Sequence, residues 1–150
     1  MGRLALFIYT TKLLQIIAEA EKWESCPRAT QDLEYNTMNR DYSIKTEWIN
    51  YGPLNLNDEE YWVKIAKKWK TTPEVAKESK CKNCVAFDIS PRMLECMPGN
   101  VDKDGYLGYC WMHHFKCHSE RTCNTWATGG PIDDDKNSYI WAKRNEGSLE

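Results

Sequence analysis

Cysteine is the residue type whose number and spacing point to chemistry in this chain. Six of the seven cysteines (Cys81, Cys84, Cys96, Cys110, Cys117 and Cys123) fall within 43 consecutive residues of the 150. Cys81 and Cys84 form a Cys-x2-Cys pair, a spacing that lets two thiolates converge from one tight turn. Thiolates are the soft donors that zinc and iron prefer. The later cysteines are separated by 13, 6 and 5 residues, so no second close pair completes a four-cysteine zinc ribbon. Cys110 and His113 make a Cys-x2-His, which keeps open a zinc site of Cys81, Cys84, Cys110 and His113, with His114 and His118 nearby. An iron–sulfur cluster suits the spacing better. A four-iron cubane presents its thiolate positions at the corners of a wide body and accepts one close pair with two distant single cysteines. The chain is also rich in rings, with seven Trp, eight Tyr and three Phe. Phe87, Tyr109, Trp111, Phe115 and Trp126 stand close to the cysteines, where they would wall a cluster from water. Water exclusion and amide hydrogen bonds to sulfur set which redox couple is accessible.

These residues carry a resemblance. Cys81-x2-Cys84 followed by Phe87, Cys96 near Pro98-Gly99, Gly108-Tyr109-Cys110 and Cys123-x2-Trp126 resemble the ligand pattern of high-potential iron–sulfur proteins, over about residues 81 to 126. The resemblance implies a small loop-rich fold, one [4Fe-4S] cluster on four cysteines, and one-electron transfer or redox sensing. It offers two ligand registers. Both contain Cys81, Cys84 and Cys110; the fourth ligand is Cys96 in one and Cys123 in the other. The second is preferred, because the last ligand of the family is followed by two residues and a tryptophan, as Cys123 is. The whole chain also resembles uncharacterised bacteriophage-encoded proteins.

The elements that would carry these residues are mostly helical. Residues 3 to 23 read as one long helix, broken at Cys26-Pro27. Residues 27 to 56 are polar and aperiodic, an expected linker with a short strand at 42 to 48. Asn57 to Glu60 supply a cap and acidic first turn for a helix over 58 to 70, with Tyr61, Trp62, Ile65, Ala66 and Trp69 at helical spacing. Thr72, Pro73 and Glu74 open a short helix to about Ser79, and Ser90-Pro91 caps another through Glu95. Pro98-Gly99, Gly105, Gly108 and Gly129-Gly130-Pro131 mark turns. A helix-turn-helix around Thr71-Thr72 has no basic face, and the net charge of −2 gives nucleic acid no footprint.

The sequence therefore predicts a mainly α protein. Residues 1–72 form a helical region with a linker, 73–131 a cysteine-rich, irregular, loop-rich metal-binding domain, and 132–150 a tail whose last four residues read as cloning-derived. The N-terminal apolar run is too short for a signal peptide or a membrane span, and an odd cysteine total fits disulfides poorly. The expected setting is cytoplasmic, host cytoplasm for a phage-encoded chain, with virion association open. Cys26 is expected to be a free thiol, Cys117 a buried thiol or disulfide partner, Trp62, Trp69 and Trp111 core residues, and Asp133 to Asp135 a solvated loop. No hydrolase, phosphate-loop or dinucleotide motif is present, so no catalytic residues are assigned. The expected partner is a redox protein or a phage or host protein. The alternative is a structural or interaction protein stapled by the cluster or by zinc.

Overall fold

The computed structural model describes residues 26–102 and 104–145. The helix expected over 3 to 23 lies outside them. The chain after Cys26 enters two helices, α1 (Arg28–Gln31) and α2 (Leu33–Lys45), where a linker and a strand were expected. Asp32 caps α2 by accepting the Tyr35 N–H at 3.0 Å. The helix has no apolar stripe because it docks through amides. Asn36 Oδ1 accepts the Lys116 N–H at 2.7 Å, and Asn39 Nδ2 donates to the His114 carbonyl at 2.7 Å.

Local capping chemistry sets the next three helices. α3 (Glu59–Lys68) starts at Asp58, whose carboxylate accepts the Tyr61 N–H, and buries Trp62, Ile65 and Ala66. α4 (Pro73–Ala76) is capped by Thr72 and adds Ala76 to the same small apolar cluster. α5 (Pro91–Cys96) is capped by Ser90 and buries Met93 and Cys96.

The expectation of a mainly α, loop-rich fold is overturned by a sheet in the cysteine segment. Strands β1 (Phe87–Asp88), β2 (Val101–Asp102), β3 (Gly105–Cys110) and β4 (Phe115–His118) form a small antiparallel sheet in which β3 pairs with each of the other three. The protein is thus a mixed α and β domain. Gly105 and Gly108, which read as turn residues, lie inside β3. A Cβ on Gly108 would overlap the Phe87 ring, so that glycine marks a close approach across the β1–β3 pair. The C-terminal segment is likewise more than a tail. Ile132 is buried and bridges to Asp88, and α6 (Asp135–Arg144) follows, capped by Asp134. The main core joins Ile49, Tyr51, Phe87, Met93, Tyr109, Trp111 and Phe115 with the buried cysteines, so the rings expected around the thiols lie in their cluster. No helix among the described residues is long and apolar enough to cross a membrane.

Candidate functional site

Three short segments bring the thiols together. The first is a single 3-10 turn, Cys81–Asn83, closed by the Cys84 N–H donating to the Cys81 carbonyl at 2.9 Å. It is held from both sides. Lys80 N–H donates to Asn83 Oδ1, the Cys81 N–H donates to the Arg121 carbonyl, and the Trp126 indole N–H reaches the Lys80 carbonyl at 2.9 Å and Asn83 Oδ1 at 3.0 Å. Trp126, placed by its spacing from Cys123, therefore fastens the pair of cysteines forty residues earlier in the chain. The second segment is the end of β3, where Cys110 stands opposite both Phe87 and Phe115 in the sheet. The third is the loop after Arg121, anchored by paired backbone bonds between Thr122 and Gly52. It carries Cys123, whose Sγ lies 3.0 Å from Thr125 Oγ1.

Cys81, Cys84, Cys110, Cys117 and Cys123 are free thiols, and four of them are at most 9% exposed, Cys123 being half-buried. Cys84 and Cys123 each lie within electrostatic reach of both Cys110 and Cys81, and so does Cys117. Cys81 and Cys110 are the hub of a five-thiol gathering. Cys96 is bonded to Cys26 in a disulfide, contrary to the free thiol expected at Cys26. Cys84 and Cys123 thus each lie near Cys81 and Cys110, and in the register with Cys96 the fourth cysteine is engaged in a disulfide. Among the described residues, no group of three or more His, Cys, Asp or Glu side chains is arranged to hold a metal ion. The thiols are gathered without being closed around a single-ion position.

Three of these sulfurs share a local device. Cys84 accepts the amide of Ala86, Cys110 that of Met112 and Cys123 that of Thr125, each from the second residue along the chain. Cys84 also accepts the Ala127 amide, and Cys110 the His113 amide. Hydrogen bonds of this kind favour the thiolate, while burial opposes it. The balance differs by site. Burial pushes the Cys84 thiol up, and pushes Cys123 up to about 12 with the nearby Cys110 adding to it. The Cys117 thiol beside Cys110, with the two amides, holds Cys110 below its ordinary value despite burial. Burial and the Cys110 and Cys81 contacts push Cys117 far up.

His113 and His118 each have a ring nitrogen at a hydroxyl or an amide, and His113 shares the Thr125 hydroxyl with Cys123. His113 Nε2 lies 2.7 Å from Thr125 Oγ1 and its ring meets Trp48 edge-on, and burial lowers its pKa to about 4. His118 is buried, with Nδ1 accepting the Glu120 N–H at 3.0 Å. Two tyrosines that no motif marks also reach the gathering. Tyr51 and Tyr61 are both raised by burial and then by nearby cysteines, Cys81 among them in each case. Their hydroxyls are engaged elsewhere, Tyr51 accepting the His118 N–H and Tyr61 donating to the Asn50 carbonyl. Trp62 packs in the second cluster away from the thiols, while Trp69 and Trp126 lie 6.4 Å apart, ring to ring.

Comparison with protein-family models, with curated proteins and with solved structures finds no match to this chain. The functional reading rests on the residues themselves.

The donor set suits an iron–sulfur cluster. It is made of thiols alone, buried under aromatic rings, with amide donors already aimed at three of the sulfurs. Without a cationic centre, burial keeps Cys84, Cys117 and Cys123 as neutral thiols; to act together as thiolates they would need one. A four-iron cubane, if bound, would take its donors from thiols alone, which is the donor type gathered here.

Proposed function

We propose that the chain binds one [4Fe-4S] cluster through Cys81, Cys84, Cys110 and Cys123 and serves in one-electron transfer or redox sensing. The observation that carries this reading is the partition of the seven cysteines. Two are bonded to each other, and the other five converge on a single region. The resemblance to high-potential iron–sulfur proteins supports the same four ligands. When bound, the cluster supplies a one-electron couple. The protein's own part is to offset some of the burial cost of a thiolate with the Ala86, Met112 and Thr125 amides, and to exclude water with Phe87, Tyr109, Trp111 and Phe115. A redox protein is the proposed partner and the cytoplasm the proposed compartment, where the five thiols would stay reduced and the Cys26–Cys96 disulfide would be open to reduction.

Anaerobic purification followed by iron and sulfide analysis, visible absorption and electron paramagnetic resonance of oxidised and reduced forms tests the reading. About four irons and four sulfides per chain with a reversible one-electron signal are expected. A colourless protein with stoichiometric zinc would sink it.

A further inference from the structure

A groove of about 260 Å³ opens on the surface beside the cysteine turn, lined by Trp69, Thr71, Val75, Ala76, Ser79 and Trp126. Its two indoles are half-buried, 6.4 Å apart and inclined at 47°, and Val75 is 50% exposed. Pockets for free small molecules run to roughly 300–1,000 Å³, so this one suits a single apolar side chain. Its Trp126 wall is the ring whose N–H fastens Lys80 and Asn83.

The surroundings are positive. Residues 59 to 82 hold seven Lys against four Glu, in a chain whose net charge is −2. Lys77 pairs with Glu59, and Lys80 and Lys82 pair with Glu120. Lys64, Lys67, Lys68 and Lys70 are exposed and form no ion pair among the described residues. Lys64 and Lys68 stand one turn apart on the same side of α3, and Lys68 and Lys70 flank Trp69. Lys70 carries a second signal. The Thr71 N–H donates to the Ala66 carbonyl and the Lys70 N–H to the Lys67 carbonyl, the bond pair of a Schellman ending. That ending places Lys70 at φ +57°, where glycine is the ordinary residue. A lysine standing in a conformation that disfavours it points to a use for its side chain.

We propose that this groove docks an acidic protein partner, which inserts one apolar side chain between the indoles and sets carboxylates against Lys64, Lys68 and Lys70. Discrete carboxylates can keep clear of the exposed Glu74 and Glu78, each next in sequence to a groove residue. A continuous phosphate backbone cannot, and residues 59 to 82 hold no Arg to stack on bases. That this partner exchanges electrons rests on the cluster reading above, through the contact of Trp126 with the Cys81–Cys84 turn; the groove and its lysines do not.

The test measures binding of a dye-labelled acidic peptide, Asp and Glu around one central Phe, by fluorescence anisotropy, with iron content read on the same samples. Saturable binding that weakens as salt rises is expected. The same peptide with Lys in place of its acids should not bind. Lys70→Gly and Val75→Glu are the deciding variants, because neither should harm the fold. Glycine relieves the left-handed position, and a glutamate three residues after Thr72 completes a capping box. Both should hold or raise Tm. Lys70→Gly should weaken binding about threefold. Val75→Glu, which brings a carboxylate to the groove, should weaken it about tenfold or more. Wild-type affinity in both variants overturns the proposal, as does an acidic peptide that fails to bind. Preferential binding of a single-stranded oligothymidine overturns it in favour of nucleic acid. Peptide binding by wild-type protein that carries no iron upholds the docking groove while the cluster reading falls.

Discussion

The indole N–H of Trp111 donates to Oδ2 of Asp88 across 2.9 Å, in a region where both residues are almost fully buried. Oδ2 also accepts the Ser138 hydroxyl at 2.5 Å, and Oδ1 accepts the Ser90 N–H at 2.9 Å. One carboxylate thus joins the residue after Cys110, the cap of α5 and the middle of α6. Asp88→Ala leaves three buried donors without an acceptor, each costing about 1–3 kcal/mol. The expected loss is about 3 kcal/mol or more, read as a lower urea midpoint. Asp88→Asn, which keeps one carbonyl oxygen, should fall between that variant and wild type. Equal midpoints for Ala and wild type would show that α6 is docked by other contacts.

The Cys26–Cys96 disulfide closes a loop with a sequence separation of 70. In the chain-entropy picture a loop of that size contributes on the order of 4 kcal/mol, mainly by restricting the unfolded chain. The double variant Cys26→Ser/Cys96→Ser should lose up to that amount in denaturant unfolding, and wild-type protein should lose the same on adding reductant. Iron binding should survive in the folded variant, because these two sulfurs are bonded to each other and the proposed ligands are among the five free thiols. Loss of iron from a folded Cys96→Ser protein would return Cys96 to the ligand set.

What could be read from the sequence was what short-range chemistry decides. Asp58, Thr72-Pro73 and Ser90-Pro91 start their helices by bonds to amides three residues on, so residue type and position were enough. The α2 helix was illegible because Asn36 and Asn39 dock it to Lys116 and His114, nearly eighty residues away, without an apolar period. β3 was hidden for a similar reason. Gly105 and Gly108 signal turns in isolation, and only the Ser119 and Phe87 side chains opposite them explain glycine in a strand. In the site, the Cys81-x2-Cys84 turn and the Trp126 spacing were visible as local pattern. The fate of Cys96 was not, since its partner Cys26 is remote in sequence. Cys117 looked like any other cysteine until the strand register assigned its neighbours.

The Asp134 cap should give α6 a pH-dependent hold on the core. Its carboxylate accepts the Asn137 N–H at 2.9 Å and the Asn137 side-chain amide at 2.7 Å, which together hold it below the ordinary value of 3.8. A lowered folded pKa means that the contribution is fully present above the unfolded value. It is lost as pH falls through the folded one. Asp134→Ala should lower Tm at neutral pH and flatten the acid limb of the Tm profile. Asp134→Asn caps without a charge, so it should keep most of the neutral-pH Tm and also flatten the acid limb. An acid limb unchanged in both variants would place the pH dependence in another carboxylate.

Gly130 stands behind the first pair of cysteines. A Cβ there would overlap the carbonyl of Cys84 and come within 2.8 Å of the Val85 nitrogen, both backbone atoms that cannot swing aside. The Cys84 carbonyl accepts the Phe87 N–H at 3.1 Å, and the Val85 N–H donates to Ala127 at 2.9 Å, so shifting this segment also strains the turn that aims Cys84. Gly99 provides the control. It has φ +76° but nothing within 4 Å of its Cβ position, so alanine there meets backbone strain alone, about 1 kcal/mol. Gly130→Ala is expected to cost several times as much, in the range of severe overpacking, about 3 kcal/mol. It should also reduce the iron bound per folded chain. Gly99→Ala should bind iron as wild type does. Wild-type iron content in a folded Gly130→Ala protein would mean that the Cys84 turn can move without losing its grip on the centre.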